Sequence, residues 1–392
     1  MSAAPLRYIA PLDGIRGLAA ISVIATHYGY SQYGWINVEF FFVLSGFLIT
    51  SILLSDKDRP LKESLRRFYW RRALRVFPLY FGYLSVCTLC YLLLGEPAEL
   101  KGAFVSLVTY THNFYLLSLN HGISFFFSHL WSLSVEEQFY FLWPFLIFVL
   151  STANVRRVII TIVLLVPLLR VALLIYLRAQ GYPESRLPWT LYLVTIFQLD
   201  AFAVGAAIAL FRLTRRIIPP WKLGLAVGCA LLLGIWESGS PILGHRLSHS
   251  ELASGDEVTR VLGGASFGYP ILMVRNAQFL WGYTMINLLS VMLIITTSQT
   301  NIVSKFFGNR FLCYLGRMSY GIYVFHFSIQ SFFTKAFPVD PYSLAGFLVF
   351  LALLATIISV AHLSYFHFEK RFLAMKDCFE KRQGDLPISA SS

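Results

Sequence analysis

Residues 12–28 read LDGIRGLAAISVIATHY, an apolar stretch that carries three ionisable side chains, Asp13, Arg16 and His27. Its length and apolar character are typical of a helix that crosses a bilayer. Ionisable groups inside a membrane are costly, so they are rare there and by default mark functional positions. The stretch therefore predicts a first membrane span that forms part of a functional site.

The composition extends this prediction to the whole chain. Of 392 residues, 57% are hydrophobic and 13% are charged, whereas a soluble domain has about 25% charged residues. Because backbone groups in lipid must be satisfied within the segment, the apolar runs predict an all-α, polytopic membrane protein. The ten predicted spans are 8–29, 37–54, 76–95, 130–150, 158–177, 190–211, 222–237, 278–298, 311–334 and 343–366. The stretch 103–119 is apolar but interrupted by polar residues, which favours an interfacial or re-entrant segment.

The distribution of basic residues predicts the orientation of the spans. With both termini in the cytoplasm, 22 of the 32 Lys and Arg residues lie in inner segments and 7 in outer ones, which satisfies the positive-inside rule. This accounts for the net charge of +12 without a nucleic-acid partner. We expect one transmembrane domain over residues 1–375 and a polar, disordered cytoplasmic tail over 376–392.

The first span places its ionisable groups on one side. Asp13 and Arg16 can pair at i, i+3. His27 follows Arg16 by eleven residues, which puts it about 20° away around the helix and about 16 Å along the axis. Two interpretations stay open: a structural ion pair with an interfacial histidine, or a stripe that takes part in chemistry.

An arginine-rich segment follows the second span, in the inner loop predicted over residues 55–76. Its arginines are Arg67, Arg71, Arg72 and Arg75. Three of them recur every four residues and the fourth lies beside them, so they share roughly one helical face. Bases at an inner membrane surface can serve as topology signals or lipid contacts. They can equally bind phosphate, for which the arginine fork is suited, and the interleaved aromatic residues can stack on a flat ring.

The fourth span opens with SHLWSLSVEEQFYFLWP, residues 128–144, in which Glu136 and Glu137 are adjacent. The residues that share one helical face there are His129, Ser132, Glu136 and Tyr140. Adjacent carboxylates inside a membrane are expensive, which indicates function. The alternative is that they neutralise a buried arginine of another span, such as Arg170.

Other ionisable residues fall at similar depths. His326 and Tyr323 lie in the outer half of the ninth span, Glu39 lies at the outer edge of the second, and Asp200 opens a small-residue stripe that suggests a structural role. Acids and histidines thus collect in the outer half and arginines at the inner face, with Arg16 between them. The arrangement predicts a path from an inner phosphate-binding mouth to an outer acid–base site. A proton-coupled transporter or a glycan-lipid flippase stays open as the alternative.

These segments resemble the bacterial membrane-bound acyltransferase 3 family, which O-acylates sugars outside the cytoplasm. The family's Arg-x10-His motif resembles the stretch from Arg16 to His27, and its other hallmarks resemble NVEFFFVLSGFLIT, RRFYWRRALRVFPLY, HLWSLSVEEQFYFLWP and SYGIYVFH. The match covers about residues 8–370. The chain departs from the pattern at Asn37 (usually Gly), Glu39 (usually Asp) and Gln198 (usually Arg). The last departure puts in doubt a charge-pairing role at Asp200.

The resemblance implies transfer of an acyl group, most often acetyl, from cytoplasmic acyl-CoA to a hydroxyl of an extracytoplasmic sugar. It also implies a multi-pass protein of the bacterial inner membrane that contacts lipids and needs no metal. The four arginines would bind the CoA phosphates, and Arg16 would steady the donor or polarise its carbonyl oxygen. The implied catalytic residues are Arg16, His27, Glu136, Glu137 and His326, and the implied acceptor-binding residues are Glu39, His129 and Tyr323. His27 would act as general base or as an acylated relay, and the outer loop 238–276 would face the acceptor.

Overall fold

A computed structural model describes residues 8–30, 34–94, 97–118, 126–183, 186–244 and 278–376, and every regular element in these ranges is helical. The helices are α1 (Ala10–Tyr28), α2 (Gly34–Ser55), α3 (Leu61–Leu94), α4 (Pro97–Val108), α5 (His112–Ser118), α6 (Trp131–Val149), α7 (Thr152–Ala179), α8 (Leu187–Leu193), α9 (Leu199–Leu210), α10 (Pro220–Gly244), α11 (Gln278–Thr297), α12 (Ile302–Phe307), α13 (Arg310–Arg317), α14 (Ser319–Ala336) and α15 (Leu344–Leu363). A π-helical turn, Ser364–Glu369, follows α15. Residues 377–392 of the predicted tail and most of the loop predicted over 238–276 lie outside the described residues.

Several of these helices have the length and composition of membrane spans. Five qualify, namely Gly34–Ser55, Leu61–Leu93, Thr152–Ala179, Leu280–Thr297 and Leu344–Lys376. A sixth results if α8 and α9, which meet at 75°, are taken as one broken span. The all-α, multi-pass character is therefore confirmed, whereas the count of ten spans and the orientation remain predictions.

The break between α8 and α9 shows that the span predicted over 190–211 is not one straight helix. Side chains satisfy the backbone carbonyls that the break releases: Asn113 Nδ2 donates to Leu193 O at 2.9 Å, and Gln198 Nε2 donates to Tyr192 O at 2.7 Å. A broken helix at membrane depth is tolerated where neighbouring protein groups provide such partners. Gln198 is therefore a cap for the break rather than a charge partner.

The arginine-rich segment predicted as an inner loop is helical instead. The helix α3 begins at Leu61 and continues without interruption through Arg75 into the span predicted over 76–95. The residues after Leu61 include Lys, Glu, Leu and Arg, which all have high helix propensity. The arginines consequently have fixed positions on the same rigid element as the membrane span.

Two other predicted segments are divided. The span predicted over 311–334 consists of α13 and α14, which meet at Met318. The first of these, α13, packs closely against α1, because a Cβ on Gly316 would lie 1.8 Å from Asp13 O. The stretch 103–119 contains the end of α4 and then α5, separated at Tyr110, which has a φ of 53°.

The helix α2 is held against α9 by two glycines. A Cβ on Gly46 would lie 2.1 Å from Phe202 O, and a Cβ on Gly205 would lie 1.9 Å from Val43 O. The small-residue stripe predicted after Asp200 therefore does allow close approach of two helix backbones. This contact fixes one face of α2 in the protein core and turns its opposite face toward α3 and α6.

A buried ion pair joins α7 to α9. Arg170 is fully buried, and its guanidinium donates to both carboxylate oxygens of Asp200, at 2.9 and 2.6 Å. It also donates to Phe197 O and lies over the ring of Tyr283, 4.3 Å from the centroid. Asp200 thus has the structural role that the sequence suggested. The sequence had put a charge-pairing role of Asp200 in doubt because position 198 is not an arginine. That prediction was wrong, since the charge partner is Arg170 of α7.

We expect Arg170→Met to lower the free energy of unfolding by about 3 kcal/mol, because it leaves the Asp200 carboxylate buried without a counter-charge. The double variant Arg170→Met/Asp200→Leu removes both charges and should recover most of the loss. Thermal unfolding of the detergent-solubilised proteins measures both effects. Equal melting temperatures for the wild type and the single variant would contradict the assignment.

Candidate active site

A cavity of about 550 Å³ lies among α2, α3, α6 and α14, and Arg16 of α1 reaches into it. We call one end the arginine end; it is lined by Asp56, Arg67, Arg71 and Lys376. We call the other the hydroxyl end; it is lined by Val38, Phe41, Ser132, Leu133 and Tyr323. The lining is basic at the arginine end. At the hydroxyl end it is apolar except for the hydroxyl groups of Ser132 and Tyr323.

Contacts between the helices establish this order along the cavity. The helix α6 runs in the same direction as α2, because Ser45 Oγ donates to Glu136 Oε1 and Trp143 Nε1 donates to Thr50 Oγ1, both at 2.8 Å. The helix α3 runs in the opposite direction. The depth of a residue in the cavity can therefore be read from its position on any of these helices.

The helix α3 supplies the basic wall of the cavity. All four predicted arginines line it: Arg67, Arg71, Arg72 and Arg75. Arg67 Nη1 lies 3.2 Å from Asp56 Oδ1, and Arg16 Nη1 lies 3.6 Å from Asp13 Oδ1. Among the described residues, Arg75 forms no ion pair. Five arginines and Lys376 line the cavity together with two carboxylates, those of Asp56 and Glu136, so the site favours an anionic ligand.

Arg72 links this wall to the two predicted carboxylates. Its Nε and Nη2 atoms donate to Glu137 Oε1 at 3.3 and 3.2 Å, and Nη2 lies 3.9 Å from Glu136 Oε2. Its guanidinium lies over the ring of Tyr140, 3.6 Å from the centroid. The predicted separation of inner arginines from outer acids was therefore wrong at this point, because α3 carries Arg72 to the depth of Glu136 and Glu137.

The face predicted on α6 is confirmed for three of its four residues; the fourth, His129, lies in the turn before α6 and does not line the cavity. Ser132, Glu136 and Tyr140 all line the cavity. Tyr140 OH donates to Ser45 Oγ at 2.8 Å, and Ser45 in turn donates to Glu136. Sequence reasoning missed Ser45 as a site residue, although its position one turn from Phe41 and Ile49 on an apolar helix marks it as an isolated polar group.

Two hydrogen-bonded side chains, Tyr323 and Ser132, lie at the hydroxyl end of the cavity, and we call this pair the partition. Tyr323 OH lies 2.6 Å from Ser132 Oγ and donates to His129 O at 2.9 Å. Because a carbonyl oxygen only accepts, the phenol proton points to His129 O and Ser132 donates to the phenol oxygen. Tyr323 and Ser132 are therefore hydrogen-bonded to each other where they line the cavity.

Three histidines form a row behind this partition. The ring of His326 lies 5.1 Å from that of His129 and 5.2 Å from that of His27, between centroids. His129 Nε2 donates to Val324 O at 3.0 Å, and His326 Nδ1 donates to Tyr323 O at 2.6 Å. These carbonyls fix which nitrogen carries the proton. His326 Nε2 is consequently a buried acceptor, and it has no hydrogen-bond partner among the described residues.

The row differs from the arrangement expected around His27. In the described part of the chain, neither Glu136 nor Glu137 pairs with a histidine; their partners are Arg72 and Ser45. The group beside His27 is His326, and His27 itself is exposed. In the described ranges, no group of three metal-ligating side chains is placed to hold an ion.

Two residues predicted to contact an acceptor are buried. His129 is 3% exposed and lies within the row, and Glu39 is fully buried. Both carboxylate oxygens of Glu39 lack a hydrogen-bond partner among the described residues, and the side chain faces the Arg170–Asp200 pair rather than the cavity. Of the three predicted acceptor contacts, Tyr323 lines the cavity.

Comparison with known proteins identifies the family of the chain. The model of the acyltransferase 3 family, described as an acyltransferase domain, matches residues 9–364. The chain is 29% identical over 354 residues to a peptidoglycan O-acetyltransferase OatA of Listeria monocytogenes, covering 85% of this chain and 51% of that protein. It is 28% identical over 384 residues to a putative O-acetyltransferase of Staphylococcus aureus, covering 94% and 58%. The chain thus spans about half the length of the curated relatives it matches. No solved structure matches it.

Proposed function

Because this chain belongs to the acyltransferase 3 family, we propose that it transfers an acetyl group from acetyl-CoA to a hydroxyl of a carbohydrate on the outer side of the bacterial cytoplasmic membrane. The observation that carries the proposal is the cavity that joins an arginine-lined end to the partition in front of His27. A donor with phosphates at one end and a small apolar acyl group at the other fits this change of environment.

The arginine wall is the proposed binding site for the CoA phosphates. Guanidinium groups form charge-assisted, often paired hydrogen bonds with phosphate oxygens. Arg71 and Arg67 line the arginine end, and Arg75 lies farther into the cavity without an ion pair in the described structure. Arg16 also lines the cavity, and it is proposed to contact the thioester carbonyl oxygen as charge develops on it.

His27 is the proposed general base. In transfer, the acceptor hydroxyl attacks the thioester carbonyl, His27 takes the hydroxyl proton, and the CoA sulfur leaves. His326 Nε2 is the neighbouring acceptor that can bind one ring N–H of His27 and so turn the other nitrogen toward the acceptor. The partition of Tyr323 and Ser132, with His326 behind it, lies between His27 and the cavity, so transfer requires these side chains to move. An acyl group carried on His27 itself is the alternative mechanism.

The acceptor is proposed from the relatives. The Listeria protein is named for peptidoglycan O-acetylation, so cell-wall carbohydrate is the acceptor class to test first. The match covers 51% of that protein, so the proposal takes nothing from the remainder of it.

The proposed function is tested with membranes that contain the wild-type protein and with matched membranes that lack it. Acetyl-CoA labelled in the acetyl group is supplied together with cell-wall glycan, and both released CoA thiol and alkali-labile label on the glycan are measured. Equal amounts of thiol and glycan ester support the transferase. Passage of label across the membrane without thiol release would identify a transporter and overturn the proposal.

Arg75→Gln is expected to raise the KM for acetyl-CoA by about tenfold or more, since a charge-assisted hydrogen bond contributes about 1.5–3 kcal/mol. The value of kcat should change less than KM, because Arg75 is proposed to bind the phosphates of the donor and not its thioester. Steady-state kinetics with purified protein measures both constants. An unchanged KM would place the CoA phosphates elsewhere.

A further inference from the structure

We infer that Glu39, together with three neutral side chains that carry oxygen, forms a binding site for one alkali-metal cation inside the protein. The three side chains are those of Gln198, Tyr283 and Asn287, and we call the four residues the Glu39 cluster. None of the four lines the arginine-lined cavity. The inference is therefore independent of the proposed function and concerns a second site.

The Glu39 cluster is removed from solvent, and its polar atoms lack partners. The exposed fraction is 0% for Glu39 and Gln198, 1% for Tyr283 and 2% for Asn287. The atoms without a hydrogen-bond partner among the described residues are both carboxylate oxygens of Glu39, Gln198 Oε1, Tyr283 OH, and Oδ1 and Nδ2 of Asn287. Unpaired polar groups in an interior are costly, so a ligand that pairs with them stabilises the fold.

The charge balance indicates that this ligand is a monovalent cation. Glu39 interacts electrostatically with Asp200 and Arg170. Arg170 is already paired with Asp200 at 2.6 Å, so the Glu39 carboxylate is one negative charge in excess. An unpaired carboxylate is among the most expensive groups to bury. One monovalent cation neutralises it, whereas a divalent ion would leave an excess positive charge.

The helices bring the oxygen-bearing side chains of the cluster together. The helix α11, which carries Tyr283 and Asn287, packs against both α2 and α9. The ring of Trp35, one turn before Glu39 on α2, lies 5.6 Å from the ring of Tyr283 between centroids. Tyr283 interacts with Glu39 and lies beside Gln198. Asn287 follows Tyr283 by four residues and so lies on the same face of α11.

The position of the cluster at the break between α8 and α9 supports a cation ligand. Gln198 Nε2 donates to Tyr192 O at the break, which fixes the amide and leaves Oε1 as an acceptor. In membrane proteins, broken helices beside buried polar groups are places where Na⁺ is coordinated. Carboxylate, amide and hydroxyl oxygens are the ligands that hard cations prefer, and the cluster holds no sulfur or imidazole.

The test is thermal unfolding of the purified full chain in detergent, in NaCl, KCl or choline chloride at one ionic strength. A ligand that binds only the folded protein stabilises it in proportion to the logarithm of ligand concentration. The wild type should melt about 2 °C or more higher in NaCl or KCl than in choline chloride. Glu39→Gln removes the charge and should abolish this difference.

Asn287→Leu removes a ligand but no charge. It should raise the salt concentration at half-maximal stabilisation by about tenfold or more, because even the partners of metal ligands contribute about 10- to 100-fold to affinity. The matched control is Thr296→Val. Thr296 is a buried residue of the same helix whose hydroxyl also lacks a partner among the described residues, and it lies nine residues beyond Asn287. The control should keep the wild-type salt dependence.

Equal melting temperatures of the wild type in the three salts would overturn the inference, because Glu39 is then neutralised by a proton. Undiminished stabilisation by NaCl and KCl in Glu39→Gln would overturn it as well, since the ions then act elsewhere. If Glu39→Gln does not accumulate, Asn287→Leu decides, and a wild-type midpoint there contradicts the inference. None of these results depends on CoA thiol release, so the proposed function is tested separately.

Discussion

The variant His27→Ala is expected to lower the rate of acyl transfer by about 10²- to 10⁴-fold, the range that a positioned general base contributes. His27 is exposed and lies at the end of the histidine row, with His326 5.2 Å away and Phe327 5.1 Å away between ring centroids. Its removal takes away the nitrogen that accepts the proton of the acceptor hydroxyl. It removes no hydrogen bond that holds the described helices together, so the protein should remain folded.

The matched control for this variant is His367→Ala. His367 is an exposed histidine in the π-helical turn after α15, away from the cavity and the row. Glycan ester formation from acetyl-CoA should be normal in the control and lost in His27→Ala at equal protein abundance. Retained transfer in His27→Ala would exclude His27 as base and as relay.

The same pair of proteins distinguishes the two proposed roles of His27. If His27 carries the acyl group, wild-type protein incubated with labelled acetyl-CoA and no acceptor should hold label on the polypeptide, and His27→Ala should hold none. If His27 is only a base, neither protein should retain label. In both cases the loss of transfer in His27→Ala is expected to be the same.

The sequence predicted the α-helical class and which residues share a helix face better than it predicted how the helices are arranged. The helical period alone placed Ser132, Glu136 and Tyr140 on one face, and all three line the cavity. The period says nothing of which helix lies opposite, so the pairing of Arg72 with Glu137 could not be predicted. That pairing depends on α3 extending from Leu61 through the membrane as one rigid helix.

The breaks in the helices were also beyond sequence reasoning. The span over 190–211 is uniformly apolar except for a few polar residues, which gives no local signal of a 75° bend. The bend depends on Asn113 and Gln198, whose side chains bind the freed carbonyls of Leu193 and Tyr192. The burial of Glu39 was missed for the same reason, since its surroundings come from α7 and α9.

The second large effect is expected from Arg72→Gln. This change leaves Glu137 without its donor and Glu136 without its nearest cation in a partly buried site, and breaking such a pair costs about 3–5 kcal/mol. That is a large fraction of the total stability of a folded protein, about 5–15 kcal/mol. The variant should therefore melt at a much lower temperature and have little activity. Thermal unfolding in detergent measures the stability loss.

The matched control is Arg75→Gln, which removes a cavity arginine without leaving a described carboxylate unpaired. It should retain stability close to that of the wild type. If Arg72→Gln and Arg75→Gln melt at the same temperature, the contacts of Arg72 at 3.2 Å with Glu137 and 3.6 Å with the Tyr140 ring do not stabilise the fold.

The double variant Arg72→Gln/Glu137→Gln separates stability from donor binding. Two neutral amides can hydrogen-bond to each other, so the double variant should recover most of the lost stability. It still lacks a positive charge in the cavity, and its KM for acetyl-CoA should stay raised by about tenfold or more. Recovery of both stability and the wild-type KM would mean that Arg72 only neutralises Glu137. Recovery of stability without recovery of the KM would place Arg72 in contact with the donor. The double variant folds without the Arg72–Glu137 ion pair, so the defect that remains is in donor binding.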